Sequence, residues 1–329
     1  MNKSRILGWS LLAFIIYCTL GAAVYFTSLL ALQQGVLLDV PWIVSTQKSL
    51  YRNGMVNANS WLGRPDCITP DLDLIYKPSN GTCKFDDIEF KTTLNFTDEG
   101  RNTGAKPAGT GIAVIGDSHA MGWGVNDHET FSAHLQSLSG RPVYNLGVAS
   151  YGTARELIRL EKSGVLDKVD TIILQYCNND KSENLKFDTV SHQEVADKVF
   201  AADKVPTAPQ PTKLKYIARG YGMALSAPFR SLSEQLRRKN FDSHYEAFIP
   251  VMEKHQPAFK SKRVIVFYSN PYGQKYRNFP VGQDARLPNV YFVDLDLSPS
   301  IYRKLDNHLT PVGHQIAAER LIKYMQSLP

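Results

Sequence analysis

Between Arg5 and Asp39 the chain carries no charged residue, and Ile6–Leu32 reads ILGWSLLAFIIYCTLGAAVYFTSLLAL. A run of about 20 apolar residues crosses a bilayer as a helix, because in lipid the backbone groups must satisfy one another. Cleaved secretory signals have shorter apolar cores, about 7–15 residues. The run is therefore expected to persist as an anchor, the alternative being cleavage after the small residues Gly21-Ala22-Ala23. Lys3 and Arg5 on the short side favour an N-inside orientation. The expected layout is a cytoplasmic tail (1–5), a single transmembrane anchor (6–33), and everything beyond about Asp39 on the outer face of the membrane.

The rest of the chain has an ordinary globular composition, with 43% hydrophobic and 21% charged residues in 329. The formal charge of +6 includes Lys3 and Arg5 of the tail, and what remains is too thinly spread to argue for nucleic acid. No internal repeat is visible, which argues against a solenoid. Of four cysteines, Cys18 falls in the apolar run and Cys177 ends an apolar strand; both are expected to be free. Cys67 and Cys83 flank the polar loop ITPDLDLIYKPSNGT, and outside the cytoplasm a disulfide between them is expected.

Residues 34–109 read as a stalk and preface with one strand-like stretch, Phe85–Asn95. The pattern then changes to strand–helix alternation. Strands are expected at 111–116 (GIAVIG), 142–147, 170–177, 263–269 and 290–296, and helices at 127–140, 153–164 and 310–328. Thr153, with Glu156 three residues on, is a candidate capping box. An insertion at about 185–260 contains a proline-rich linker, 204–213, and a basic segment, 213–241. The latter is either a solvated helix face or a surface for anionic headgroups or an acidic glycan. The fold class is α/β, a three-layer α/β/α sandwich around a mainly parallel five-stranded sheet, with ligand at the carboxyl ends of the strands.

The residues just after each strand therefore gather along one edge: Gly116-Asp117-Ser118-His119, then Leu146-Gly147-Val148, then Asn178-Asn179-Asp180, and, before the last helix, Asp306-Asn307-His308. These blocks, "GDSHAMGWGV…ETF", "NLGVASYGT", "NND" and "DNHLTPVGH", resemble in order and placement those of the SGNH (GDSL-type) hydrolases. The preceding "C…LIYKP…GTCKFDDIEF" is similar to the preface of membrane-anchored bacterial members. The resemblance covers 111 to about 325 and makes 110–329 the catalytic domain. It implies Ser118 as nucleophile, His308 as general base and acid, and Asp306 as the carboxylate that orients the imidazole. It assigns the oxyanion hole to the backbone N–H groups of Ser118 and Gly147 and the side-chain amide of Asn179, with Asn178 as the neighbouring alternative. The sequence departs from the family in two places. Leu305 stands where the aspartate commonly lies, leaving Asp306 two residues before the histidine, and Cys177 stands where the third block often begins with glycine.

His314 is a rival base within the closing helix, His119 is a candidate substrate contact, and Asp117 and Asp180 are read as turn-formers. No cofactor and no metal are expected. The resemblance implies a bacterial inner-membrane protein facing the periplasm or cell exterior, an esterase acting on acyl, most simply acetyl, esters of a cell-surface glycan or a small ester. The alternatives are an O-acetyltransferase served by a membrane-bound acyl-donor protein, a lipase, and a non-catalytic glycan-binding subunit.

Overall fold

In a computed structural model the described residues are 3–55, 61–64, 66–185, 214–236, 243–269, 271 and 280–328. The proline-rich 204–213 and the basic residues Lys213, Arg237, Arg238 and Lys239 lie outside them.

The expected strands are β6 (Gly111–Gly116), β7 (Val143–Asn145), β8 (Val169–Tyr176), β9 (Arg263–Tyr268) and β11 (Val290–Val293). They pair in parallel in the order β11-β9-β8-β6-β7. Alternate residues of each strand enter opposite faces, as a pleated backbone requires. Ala113, Ile115, Ile172, Leu174, Val264 and Val266 pack on one side against α5 (Thr153–Lys162) and α8 (Ser243–Phe259). Ile112, Val114, Ile173, Ile265 and Phe267 pack on the other against α4 (Phe131–Ser139) and α9 (Pro311–Ser327). Covered on both faces, the strands can be almost continuously apolar.

The sheet does not stop at five strands. β3 (Gly81–Asp86), β4 (Lys91–Thr97) and β5 (Gly100–Arg101) extend it antiparallel beyond β7, and β10 (Gly282–Gln283) pairs antiparallel with β11 at the opposite edge. The single strand-like stretch Phe85–Asn95 is thus two strands, broken where the Asp87 N–H bonds the Phe90 carbonyl at 2.8 Å. β1 (Ile68–Asp71) and β2 (Ile75–Pro78) form a separate hairpin. Cys67 is bonded to Cys83, with Cα atoms 5.7 Å apart, among the buried rings of Trp61, Phe85, Phe96 and Trp123.

The expected cap of α5 is corrected. Gly152 is its N-cap, and Thr153 makes no capping bond. Glu156 faces the interior, 1% exposed, so its carboxylate is not available to the helix end. Two short helices sit at the sheet's carboxyl edge, α3 (Ser118–Met121) after β6 and α6 (Asn178–Asn184) after β8. The apolar run forms α1 (Lys3–Gln33), beside which α2 (Pro41–Arg52) and α7 (Leu214–Leu236) pack.

Opening the Cys67–Cys83 bridge should lower unfolding stability by about 3 kcal/mol, the chain-entropy value for a loop of roughly 15 residues. Comparing thermal or urea midpoints of Cys67→Ala/Cys83→Ala with the parent checks this.

Candidate active site

Ser118 is the first residue of α3, immediately beyond the buried strand β6. The turn that delivers it depends on Gly116, whose φ of +145° lies in the region open to glycine and where a Cβ would come within 2.6 Å of Ala120 Cβ. Asp117 caps the short helix, accepting the His119 N–H at 2.9 Å. The far end of α3 is held from β5: the fully buried Arg101 guanidinium donates to the carbonyls of Met121 and Gly122, each at 2.6 Å. The position of Ser118 is thereby fixed at one end by Gly116 and Asp117 of its own block and at the other by Arg101 from outside it.

The Asp306–His308 turn approaches from the other side. His308 Nε2 stands 2.7 Å from Ser118 Oγ, and its Nδ1 2.7 Å from Asp306 Oδ2. Burial alone would raise the Asp306 carboxyl, but His308 beside it outweighs burial and holds it below the usual carboxylate range. Ionised, Asp306 can only accept, so Nδ1 carries the proton and Nε2 accepts from the Ser118 hydroxyl. Burial would likewise lower His308, but the Asp306 charge and hydrogen bond outweigh it and leave the imidazole above its ordinary value.

The two-residue spacing works because of Asn307, which adopts φ +66°, a left-handed conformation that asparagine tolerates better than most residues. The chain doubles back there. The Arg303 N–H meets the His308 carbonyl at 2.8 Å and the Asn307 N–H meets the Arg303 carbonyl at 3.2 Å. The turn is gripped from outside by Glu89, which accepts the N–H groups of Lys304, Leu305 and Asp306 at 2.8, 2.9 and 2.8 Å. Burial, with the Asp306 charge adding to it, nonetheless leaves the Glu89 carboxyl above its ordinary value. Arg303 donates to the carbonyls of Glu89 and Gly124, both at 2.6 Å, and so ties this turn to the loop after α3.

Other histidines have structural surroundings. His119 is buried, with Nδ1 2.9 Å from Ser269 Oγ, and its ring centre lies 4.5 Å from that of His308. Burial, then the neighbouring His308, pushes it down to about 4, so it packs against His308 as a neutral ring. His314 accepts the Phe131 N–H at the start of α4, 3.1 Å away, and is fully buried.

The expected oxyanion donors are engaged with the protein's own groups. The Gly147 N–H donates to Asn145 Oδ1 at 3.0 Å, and Asn145 Nδ2 in turn donates to the Ala120 carbonyl at 3.0 Å. Asn179 Nδ2 donates to the Tyr151 carbonyl at 3.3 Å. Only the Ser118 N–H stands at a helix start, where no intrahelical acceptor exists. Glycine at 147 also has a second reason: a Cβ there would lie 2.7 Å from the Ala120 carbonyl carbon and against the Met121 nitrogen.

Cys177 donates its thiol to Asp117 Oδ2 at 2.9 Å and also contacts Asn179 Oδ1. Asp180 accepts the Cys177 N–H at 3.2 Å. The ligand-type atoms of Asp117, Cys177 and Asp180 lie within 4.8 Å of one another. Burial pushes the Cys177 thiol well up, so the thiolate a metal would need is disfavoured. Burial raises the Asp180 and Glu156 carboxyls as well, helped by Glu156 and Asp117 at Asp180 and by Asp117 and Glu183 at Glu156.

The sequence reading did not find Glu89, Arg101, Asn145, Ser269 or Arg303. Asn145 opens the NLGVASYGT block but carries no role in it, the others lie outside every block, and Glu89 meets its partners across 215 to 217 residues of chain.

No family model and no curated protein matches the chain. Solved structures do. The family two carbohydrate esterase from Clostridium thermocellum is similar at 11% identity and a TM-score of 0.37, over 69% of this chain and 66% of that one. The acetylxylan esterase Axe2 from Geobacillus stearothermophilus is similar at 14% identity and 0.34, over 68% and 96%. A protein assigned to the lipolytic G-D-S-L family from Desulfitobacterium hafniense DCB-2 is similar at 13% identity and 0.36, over 65% and 99%. Likeness at this level assigns no activity, and the functional reading rests on the site itself.

Asp306→Asn should lower turnover about 10⁴-fold, as expected when an orienting carboxylate is lost and the tautomer is wrong. The acid limb of the kcat/KM profile should also move to lower pH, because burial then acts on His308 without the opposing charge. Glu89→Ala should cost about 10²-fold in kcat by displacing the turn, while Asn307→Gly, free to adopt φ +66°, should retain activity and Asn307→Val should not. Steady-state kinetics on a small ester reads all of these.

Proposed function

We propose that the chain is a membrane-anchored, extracytoplasmic serine esterase of SGNH type, acting on acyl, most simply acetyl, esters of a cell-surface glycan. The observation that carries the reading is the continuous relay Asp306–His308–Ser118, with both contacts at 2.7 Å. In this reaction Ser118 Oγ attacks the ester carbonyl while His308 Nε2 takes its proton. His308 returns that proton to the departing sugar oxygen, and water, activated by the same imidazole, releases the acyl group from the serine. Asp306 stays ionised and stabilises the imidazolium.

The oxyanion is received by the Ser118 N–H, joined by those of Gly147 and Asn179 Nδ2 once the carbonyl oxygen displaces their present acceptors, Asn145 Oδ1 and the Tyr151 carbonyl. Catalytic hydrogen bonds commonly tighten only with substrate bound. The anchor is Ser4–Gln33, whose most apolar 18 residues have a mean hydropathy of 1.9. Lys3 and Arg5 would keep its start on the cytoplasmic side of a bacterial inner membrane.

The test is acetate release from p-nitrophenyl acetate and from an acetylated oligosaccharide by the detergent-solubilised full-length protein. Activity lost to background in Ser118→Ala is the expected result. Equal activity in the two proteins overturns the assignment. Acetyl transfer to a glycan with no hydrolysis would replace water by a sugar hydroxyl and make the protein a transferase.

A further inference from the structure

The anchor helix α1 has two differently surrounded parts. Every residue from Ser4 to Ile16 is exposed, whereas from Tyr17 onward one side is covered by α7 and α2. At about 1.5 Å per residue the bare part measures roughly 20 Å, short of the ~30 Å hydrocarbon layer. If α1 spans the bilayer, the layer must continue for several residues more, to about Tyr25. That stretch is where α7 is seated.

The contacts are close and specific. The Tyr17 hydroxyl donates to the Leu225 carbonyl, and the Tyr221 hydroxyl donates to the Cys18 carbonyl at 2.9 Å. Gly21 lies against Leu225, and Gly220 against the ring of Tyr25, with no room for a Cβ at either glycine. Trp42 of α2 stacks on Tyr17 with ring centres 5.6 Å apart and donates its indole N–H to the Ala224 carbonyl at 2.7 Å. Phe229 completes this aromatic group, 6.2 Å from Tyr17. The part of α7 at this depth, Gly220–Phe229, reads GYGMALSAPF and has no charged residue, while Arg219 and Arg230 bracket it. Phe229 is nevertheless 64% exposed.

We propose that the Gly220–Phe229 face of α7 is immersed with α1 in the outer leaflet, so that its occupant is lipid acyl chain. The continuity of this uncharged stretch, whose exposed residues are Gly222 and Phe229, with the apolar anchor argues for that occupant. Helix pairing through small residues is the mode that suits lipid, where apolar side chains gain nothing by leaving hydrocarbon for one another. The two flanking guanidiniums are engaged by the protein, Arg219 with Asn53 Oδ1 at 3.1 Å and Arg230 with the Met223 carbonyl at 2.6 Å. The same apolar cluster contains Tyr25, Leu32, Met223, Ala224 and Leu305, the residue before Asp306. A lipid-seated α7 therefore braces the catalytic turn from the membrane side.

The inference rests on α1 spanning a membrane, and the experiment separates the two. The full-length protein is placed in phosphatidylcholine vesicles with or without brominated acyl chains, as wild type, Trp9→Phe, Phe229→Trp and Leu72→Trp. Trp9, on the bare part of α1, reports the anchor, and Leu72, 84% exposed, reports a surface residue away from the bundle. Expected is loss of most of the Trp9 emission in brominated vesicles, and loss of most of the emission added by Phe229→Trp. That emission should also be blue-shifted and insensitive to acrylamide, while that added by Leu72→Trp should respond to acrylamide alone. Quenched Trp9 with Phe229→Trp emission quenched by acrylamide would put the face in water and overturn the inference. Emission insensitive to both agents would mean a protein cover, such as a second copy, and overturn it equally. Unquenched Trp9 would remove the anchor and the inference with it.

Discussion

The carboxylate of Glu89 receives three consecutive backbone N–H groups, those of Lys304, Leu305 and Asp306, and the position of the acid–base pair follows from that grip. The turn it holds is short, folds back through a left-handed asparagine and is closed by two internal backbone bonds. Charge-assisted bonds to an anion are the strong ones, yet burying the anion next to Asp306 is unfavourable and raises its pKa. The arrangement gains positional definition at a cost in electrostatics. Arg303 shares the geometry by joining the Glu89 carbonyl to that of Gly124.

Arg101 does for Ser118 what Glu89 does for His308. Its buried guanidinium gathers the carbonyls of Met121, Gly122 and Val125 and pairs with Asp127 at 3.0 Å. Both residues belong to the segment before the α/β layers. The strands β3, β4 and β5 therefore do more than connect α2 to the α/β layers. They extend the central sheet and carry the two side chains that bring Ser118 and His308 into register.

The parallel strands were legible because continuous runs of isoleucine, leucine and valine between polar turns have few other solutions in a soluble layer. The serine, histidine and aspartate were legible because the turns after such strands must meet at one edge. What escaped was set by contacts that leave no local pattern. The stretch Phe85–Asn95 alternates like one strand, and nothing in its composition announces the turn at Asp87–Phe90. Thr153 and Glu156 have capping spacing, but the tertiary position of Glu156 turns it inward, and Gly152 takes the cap. Nothing local at Gly147 announces that the backbone of Ala120 and Met121 passes too close for any side chain there. The acceptors now holding Gly147 and Asn179 come from Asn145 and Tyr151, residues whose types are too common to single out.

The reach of the Glu89 contact has a consequence for the order of assembly. Its partners are synthesised 215 to 217 residues after it, and contacts of such long range form late because the intervening chain must be closed first. While the chain emerges N-terminus first, Ser118 and its cradle can be in place with no base beside it. Until residues 304–308 have been made and drawn onto Glu89, Ser118 has no imidazole beside it.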